Sequence, residues 1–230
     1  MSIAARAKMP YLSKKDSVAE HLRAQILRGD LQAGVRLHQD SVARALGVSP
    51  TPVREAFRVL QAEGLLEGET HHGMTVARLA PNEWLDYYEI RRLLETHALS
   101  RVTNISDKIL DEMDECVNSG ARSIRLRDIH PFRVSNARFH ELLLESAHSR
   151  PLEEIGKSVM ARSLFFIPLE RSRMAGVLRE HAAILKALKA RSFPRAVRLL
   201  DAHLSSTIDN LRKHQSVKDA ADWELEARAT

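Results

Sequence analysis

The apolar positions of this chain change their period twice, and the changes mark its parts. Val18, Leu22 and Ile26 recur at four-residue spacing after Ser13-Lys14-Lys15-Asp16. That opening resembles a capping box with Asp in the acidic position, and Gly29 is placed to close the helix. Leu31-Gln32-Ala33-Gly34-Val35-Arg36-Leu37 reads as a turn leading into two short helices. The first starts at Gln39 and ends at Gly47, which suits the left-handed position after a helix. The second opens on Ser49-Pro50-Thr51-Pro52. Ser49 or Thr51 can cap it, and a proline in the first turn loses no intrahelical N–H bond. Val53, Ala56, Phe57 and Leu60 then give one apolar face, with Thr51, Arg54, Glu55 and Arg58 opposite. Glu63-Gly64 ends this helix. Leu65–Thr70 and Met74–Leu79 read as two short strands around a His71-His72-Gly73 turn.

Three helices and a hairpin make a winged helix-turn-helix over residues 12–79, a geometry that offers a short helix to a major groove. From Pro81 the pattern is wholly helical, with six helices expected at about 81–103, 106–123, 130–147, 150–171, 173–191 and 193–214. Pro81, Pro131, Pro151 and Pro194 fall near helix starts, and Ser106, Ser149 and Ser192 are candidate caps. The predicted fold class is mainly α: an N-terminal winged helix-turn-helix plus a C-terminal all-α six-helix bundle over residues 80–215. The tail, 216–230, is expected to fray.

Composition narrows the class. The 230 residues suffice for one large domain or two small ones. With 44% hydrophobic and 28% charged residues the chain has an ordinary globular balance. A net charge of +5 permits a polyanionic partner without proving one. The single cysteine, Cys116, excludes an intrachain disulfide and fits a reducing, cytoplasmic setting. No apolar run reaches the roughly 18 residues of a membrane span. Met1–Pro10 has positive charge but no apolar core, so it does not read as a secretory signal.

The motif Leu46-Gly47-Val48-Ser49-Pro50-Thr51-Pro52-Val53-Arg54-Glu55-Ala56 resembles the signature of the GntR family of bacterial transcriptional regulators. The remainder is similar to the all-helical effector (FCD) domain of the FadR-type branch, in its shorter VanR-like version. Tyr88–Glu95, Asn136–His140, Glu180–Leu185 and His203-Leu204 carry that second match in order and spacing. The resemblance covers roughly residues 12–214. It implies a homodimer that binds a pseudo-palindromic double-stranded DNA operator and responds to a small effector, with no membrane partner.

On the reading helix, Arg54 is the candidate base reader, because its planar fork can donate two bonds to guanine. Ser49 and Thr51 sit where hydroxyls and backbone N–H groups suit a phosphate, and Arg44 and Arg58 can reach backbone or groove edge. By resemblance the wing tip, His72-Gly73, enters or skirts the minor groove. Pro50 stands where many members carry a base-contacting Arg, and Asp40 where some carry a basic residue, so the operator sequence need not follow the family's. The bland alternative is a solvated face, with Arg54 paired to Glu55 or Glu63.

Asn136 and His140 are four apart and share a helix face, while His181 and His203 each adjoin an apolar stripe. Imidazoles converging in a bundle core suit a divalent transition metal, here Zn, Ni or Mn. The resemblance implies a set of one Asp and three His, with Asn136 at the Asp position. An amide oxygen is a weaker donor, so weaker binding or a water in its place is expected. The resemblance also makes the metal a handle for the carboxylate of a small effector, to which Arg91 and Arg162 can add charge-assisted bonds. Arg91 has a local alternative in an i,i+4 pair with Glu95. Ser149-Arg150-Pro151 replaces the family's usual Gly-Asn-Pro before the fourth bundle helix, which points to a different ligand.

The histidines have a plainer alternative as polar core residues, with or without direct effector contact. Two rival functions remain at this point. One is a metal-dependent hydrolase or lyase on His140, His181 and His203, disfavoured by the lack of a nearby motif supplying a general base. The other is a constitutive DNA-binding protein without an effector. The expectation is a non-enzymatic, ligand-responsive regulator, acting as a repressor.

Overall fold

The computed structural model describes residues 13–28, 30–69, 73–78, 81–166 and 171–227. The chain divides into two compact units, Met1–Arg78 and Leu79–Thr230.

In the first unit, α1 spans Lys14–Arg28, α2 Gln39–Leu46 and α3 Pro50–Ala62. Ser13 opens α1 as a reciprocal cap: its hydroxyl donates to Asp16 Oδ2 at 2.5 Å and accepts from the Asp16 N–H at 3.2 Å. Gly29 and His72 lie outside the described residues. Arg36–Leu37, expected as part of a turn, form a short strand β1, and with β2 (Leu66–Glu69) and β3 (Gly73–Val76) make an antiparallel sheet ordered β1-β3-β2. The strand was hidden because two residues carry no readable period. Long-range backbone bonds select it: Val76 N–H donates to Val35 O and Gly34 N–H to Val76 O.

The core of this unit follows the pattern. Val53, Ala56, Phe57 and Leu60 of α3 are fully buried with Val18 and Leu22 of α1, Ala43 of α2, and Met74 and Val76 of β3. Arg23 of α1 grips Glu63 with two bonds, Nε to Oε2 at 2.9 Å and a second terminal N–H to Oε1 at 2.5 Å, anchoring the end of α3. Gly47 has φ +65°, with its N–H satisfied on the last carbonyls of α2.

The second unit holds α4 (Pro81–Ser100), α5 (Asp107–Leu126), α6 (Ile129–Glu145), α7 (Arg150–Phe166), α8 (Arg171–Lys189) and α9 (Phe193–Ala227). α4 packs on α9 and α7, and α5 on α6 and α8. Their core includes Leu99, Met113, Phe139, Leu142, Leu143, Ile184, Leu188, Leu200 and Leu204. Ser106 caps α5, accepting from Ile109 N–H, and Asp128 caps α6, accepting from His130 N–H. α9 continues to Ala227 instead of ending near residue 214. Nothing after Pro194 breaks a helix, since the rest of the chain holds neither glycine nor proline. Among the described residues no helix is long and apolar enough to cross a membrane.

A Cβ at Gly47 would meet no atom within 4 Å, so only its left-handed backbone opposes a side chain. Gly47→Ala is expected to destabilise the first unit by about 1–2 kcal/mol, and Gly47→Asn by less. Hydrogen exchange of the α3 amides reads this directly; equal protection in Gly47→Ala would refute it.

Candidate metal centre and nucleic-acid interface

α3 is held from behind by its buried face, so its other face is displayed. Ser49, Pro50, Thr51 and Arg58 are exposed, as is Arg44 of α2, and Arg54 is half-buried. Ser49 takes the cap position with extended backbone, yet its side chain makes no capping bond. The Ser49 hydroxyl is therefore not committed to capping, and of the first three residues of α3 only Thr51 carries a backbone N–H. Arg44 Nε donates to Asp40 O at 3.3 Å, a local tether. Glu63, one of the partners expected for Arg54, is instead held by Arg23. Among the described residues no ion pair holds Arg54 or Arg58. Gly73 opens β3 with φ +95°, and a Cβ there would press on Arg36 Nε at 3.1 Å and Leu37 O at 3.3 Å.

In the helical unit three imidazoles meet. His140 from α6, His181 from α8 and His203 from α9 are 1%, 4% and 4% exposed. One ring nitrogen from each lies within 4.8 Å of the others. The Nε2 atoms of His181 and His203 are 3.3 Å apart. Phe139 stacks on His181 at 4.1 Å between centroids and fixes that ring.

Two carboxylates that sequence reasoning assigned no role here turn the outer rings. His140 Nδ1 is 2.6 Å from Glu95 Oε2, and His203 Nδ1 is 2.6 Å from Glu180 Oε2. Each carboxylate accepts the Nδ1–H, which leaves the Nε2 lone pair facing inward, the arrangement that orients metal-bound histidines. A Glu on another helix has no sequence mark of this role; only the fold brings it there. Glu95 is itself held by Arg91, whose Nε donates to Oε1 at 2.8 Å. Glu180 lies 3.7 Å from an Arg173 terminal nitrogen.

Charge follows from burial. Desolvation pushes the His140 pKa down to about 4, outweighing the attraction of Glu95. Desolvation, with the neighbouring His203 and His140, holds His181 far below its ordinary value. Burial alone would raise Glu95, but Arg91 and then His140 outweigh it and bring its pKa to about 2. His140 and His181 are thus neutral near pH 7, with a lone pair each to share. When two Nε2 atoms stand 3.3 Å apart, a proton or a cation must lie between their lone pairs. The donor set fits a first-row divalent ion that favours nitrogen. Asn136, one turn before His140, is half-buried on the same face.

Arg91 is 1% exposed and makes its local pair with Glu95; it also donates to Ser163 Oγ at 3.4 Å and lies 4.7 Å from the Tyr88 ring centre. Its remaining terminal nitrogen, NH2, is buried without a hydrogen-bond partner among the described residues. Arg162 donates to Tyr87 Oη at 2.8 Å. Glu95, held by both Arg91 and His140 and with its pKa lowered, is poorly suited to act as a general base.

A family model described as the FCD domain matches residues 86–206, more than half of the chain, and one described as bacterial regulatory proteins, gntR family, matches residues 14–76. The chain belongs to the GntR family. This GntR-family protein is therefore a non-enzymatic DNA-binding transcriptional regulator with an effector-binding FCD domain, which removes the hydrolase reading. It is 28% identical over 202 residues to the HTH-type transcriptional regulator YdhC of Bacillus subtilis, covering 83% of this chain and 88% of that one. It is 26% identical to the gluconate operon transcriptional repressor of Bacillus subtilis (84% and 83% covered). It is 28% identical to the probable D-xylose utilization operon transcriptional repressor of Paenarthrobacter nicotinovorans (89% and 91% covered). Among solved structures it shares the fold of Escherichia coli McbR/YncC, with TM-score 0.75, 22% identity, and 89% and 99% of the two chains covered.

The lowered histidine pKa values set a pH dependence. Between His140's folded value of about 4 and the ordinary 6.5, the unfolded chain binds more protons, so stability rises with pH there. Metal-free protein is expected to lose stability as pH falls from 6.5 to 4, and further from 4.5 towards 2, where Glu95 takes up a proton in the unfolded chain but not in the folded one. Urea midpoints at pH 7, 5.5 and 4 measure this. His140→Gln should flatten the upper step, with His181 contributing what remains; an unchanged step in that variant would count against it.

Proposed function

We propose that this regulator is a repressor whose helical domain binds a divalent metal through His140, His181 and His203, and that the metal presents an open position to the carboxylate of a small effector. The observation that carries the reading is three buried imidazoles with converging nitrogens, two of them turned inward by carboxylates at 2.6 Å. Uncharged nitrogen donors favour Zn or Ni over Mn. Asn136 is the candidate fourth ligand; its neutral amide oxygen is a weak donor and yields readily to water or effector. The unpartnered NH2 of Arg91 is the group available to the effector's carboxylate, and Arg162 adds a second guanidinium.

The DNA end of the reading rests on the face of α3. Arg54 reads a base edge, Arg58 and Arg44 reach backbone or groove edge, Ser49 and Thr51 meet a phosphate, and Pro50 offers no hydrogen-bonding side chain to the groove. The wing tip at His72-Gly73 tracks the minor groove. A homodimer binds the two halves of a pseudo-palindrome. Effector binding releases the operator by its differential affinity for the free and DNA-bound arrangements. The two repressors of sugar-utilisation and gluconate operons among the relatives support the sign of regulation.

Untagged, dialysed protein is expected to retain near-stoichiometric metal that His140→Ala loses, measured by elemental analysis. Metal-free protein in both, even after loading, would leave the histidines as core groups. On an operator selected in vitro, Arg54→Ala should lose about 1–3 kcal/mol of discrimination against random DNA while keeping its fold. Unchanged discrimination in a gel-shift competition would remove Arg54 from the reading role.

A further inference from the structure

We propose that the metal enters and leaves the three-histidine centre between α8 and α9, with His203 as the ligand that swings aside to admit it. The inference rests on the metal reading above and adds the route by which that site fills.

Gly176, Arg179, Glu180 and Ala183 fall at i, i+3, i+4 and i+7 of α8, and Leu199, Ala202 and His203 at i, i+3 and i+4 of α9. The two faces line one cavity of about 270 Å³. Small residues make the space: Gly176, Ala183 and Ala202 leave open a volume that larger side chains would fill. It has room for several waters, at roughly 30 Å³ each. Arg179 and Ala202 are exposed on its solvent side, and the Glu180–His203 pair belongs to its lining.

The three ligands differ in what their displacement costs. Moving His140 takes a partner from Glu95, which is sealed in the core with Arg91 where water does not replace it. Moving His181 breaks its stack on Phe139, and both rings are buried. Moving His203 breaks a bond to Glu180, which is half-buried on the cavity, so water can take the place of the imidazole N–H. A terminal nitrogen of Arg173, 3.7 Å from Glu180 Oε2, keeps a positive charge beside the carboxylate once the ring has left. The cavity also gives the displaced ring somewhere to go, which a close-packed core does not. Among the described residues that line it, Glu180 is the one negative group. A dication passing Arg179 therefore meets an oxygen donor before it meets nitrogen.

Zinc exchange in the full-length protein tests the route. Gly176 suits a plug, because a Cβ there would meet only an Arg179 terminal nitrogen, at 3.9 Å. Leucine is also the better helix former in the middle of α8. Stopped flow reads zinc release to an excess of a chromogenic chelator, and zinc uptake by the metal-free protein. In Gly176→Leu both rates are expected to fall about tenfold or more while the Kd stays within about twofold of wild type, because a plug raises the barrier without touching the bound state. Ala175→Leu, exposed and outside the cavity, should leave both rates as they are. Ala202→Leu fills the cavity from α9 and carries the test should Gly176→Leu fail to fold. Rates unchanged in the plugged protein, rates slowed equally by Ala175→Leu, or a fall in release alone overturns the route. His140→Ala separates that failure from failure of the metal reading. Zinc held as tightly by His140→Ala as by wild type overturns the metal centre itself, and the route with it. Zinc lost in that variant, with exchange indifferent to the plug, overturns the route alone.

Discussion

A polar group inside an apolar bundle must find a partner, and the helical unit of this protein is arranged around that requirement. Ser163, Arg91, Glu95 and His140 form a continuous buried chain linking α7, α4 and α6. Removing one member strands its neighbours. Without Arg91, Glu95 would hold an uncompensated charge in the core, and without Glu95, His140 would have no reason to keep Nε2 inward. Breaking such a buried pair costs more than the pair contributes as a whole. The chain thus fixes the direction of a lone pair, and a ligand-binding centre needs that more than it needs stability.

His203 is turned by Glu180 in the same way, but with a difference. Glu95 is sealed in the core at 1% exposure, whereas Glu180 is 31% exposed and reached by Arg173. One side of the centre is therefore rigid and the other borders solvent. His181, between them, is set by stacking on Phe139. Three different constraints, a buried ion pair, a surface carboxylate and an aromatic stack, converge on one small volume.

The DNA-binding unit obeys a simpler rule. The apolar face of α3 is buried completely, and Arg23 holds Glu63 at its end, so the opposite face is rigid as well as exposed. Rigidity lowers the entropy lost when a displayed helix face meets a partner. The buried and displayed residues of α3 lie on opposite faces, so substitutions on the exposed face leave the core alone.

The sequence by itself determined the periods, hence the helices and hairpin, the capping of α1 by Ser13, the turn at Gly47 and the identity of the three histidines. These are local or periodic properties, written within a few residues of one another. Arg91 was legible only as two alternatives, an ion pair with Glu95 or a ligand contact; the structure places it in the pair and still leaves one N–H group over. The strand at Arg36–Leu37 was out of reach because a two-residue strand exists only through its partner. The contacts of Glu95 with His140 and of Glu180 with His203 were likewise silent: a carboxylate on a helix looks the same in sequence whether it faces water or a neighbour. Only tertiary structure decided those roles, because each depends on which residue of a distant helix, forty or more positions away for Glu95 and His140, packs against it.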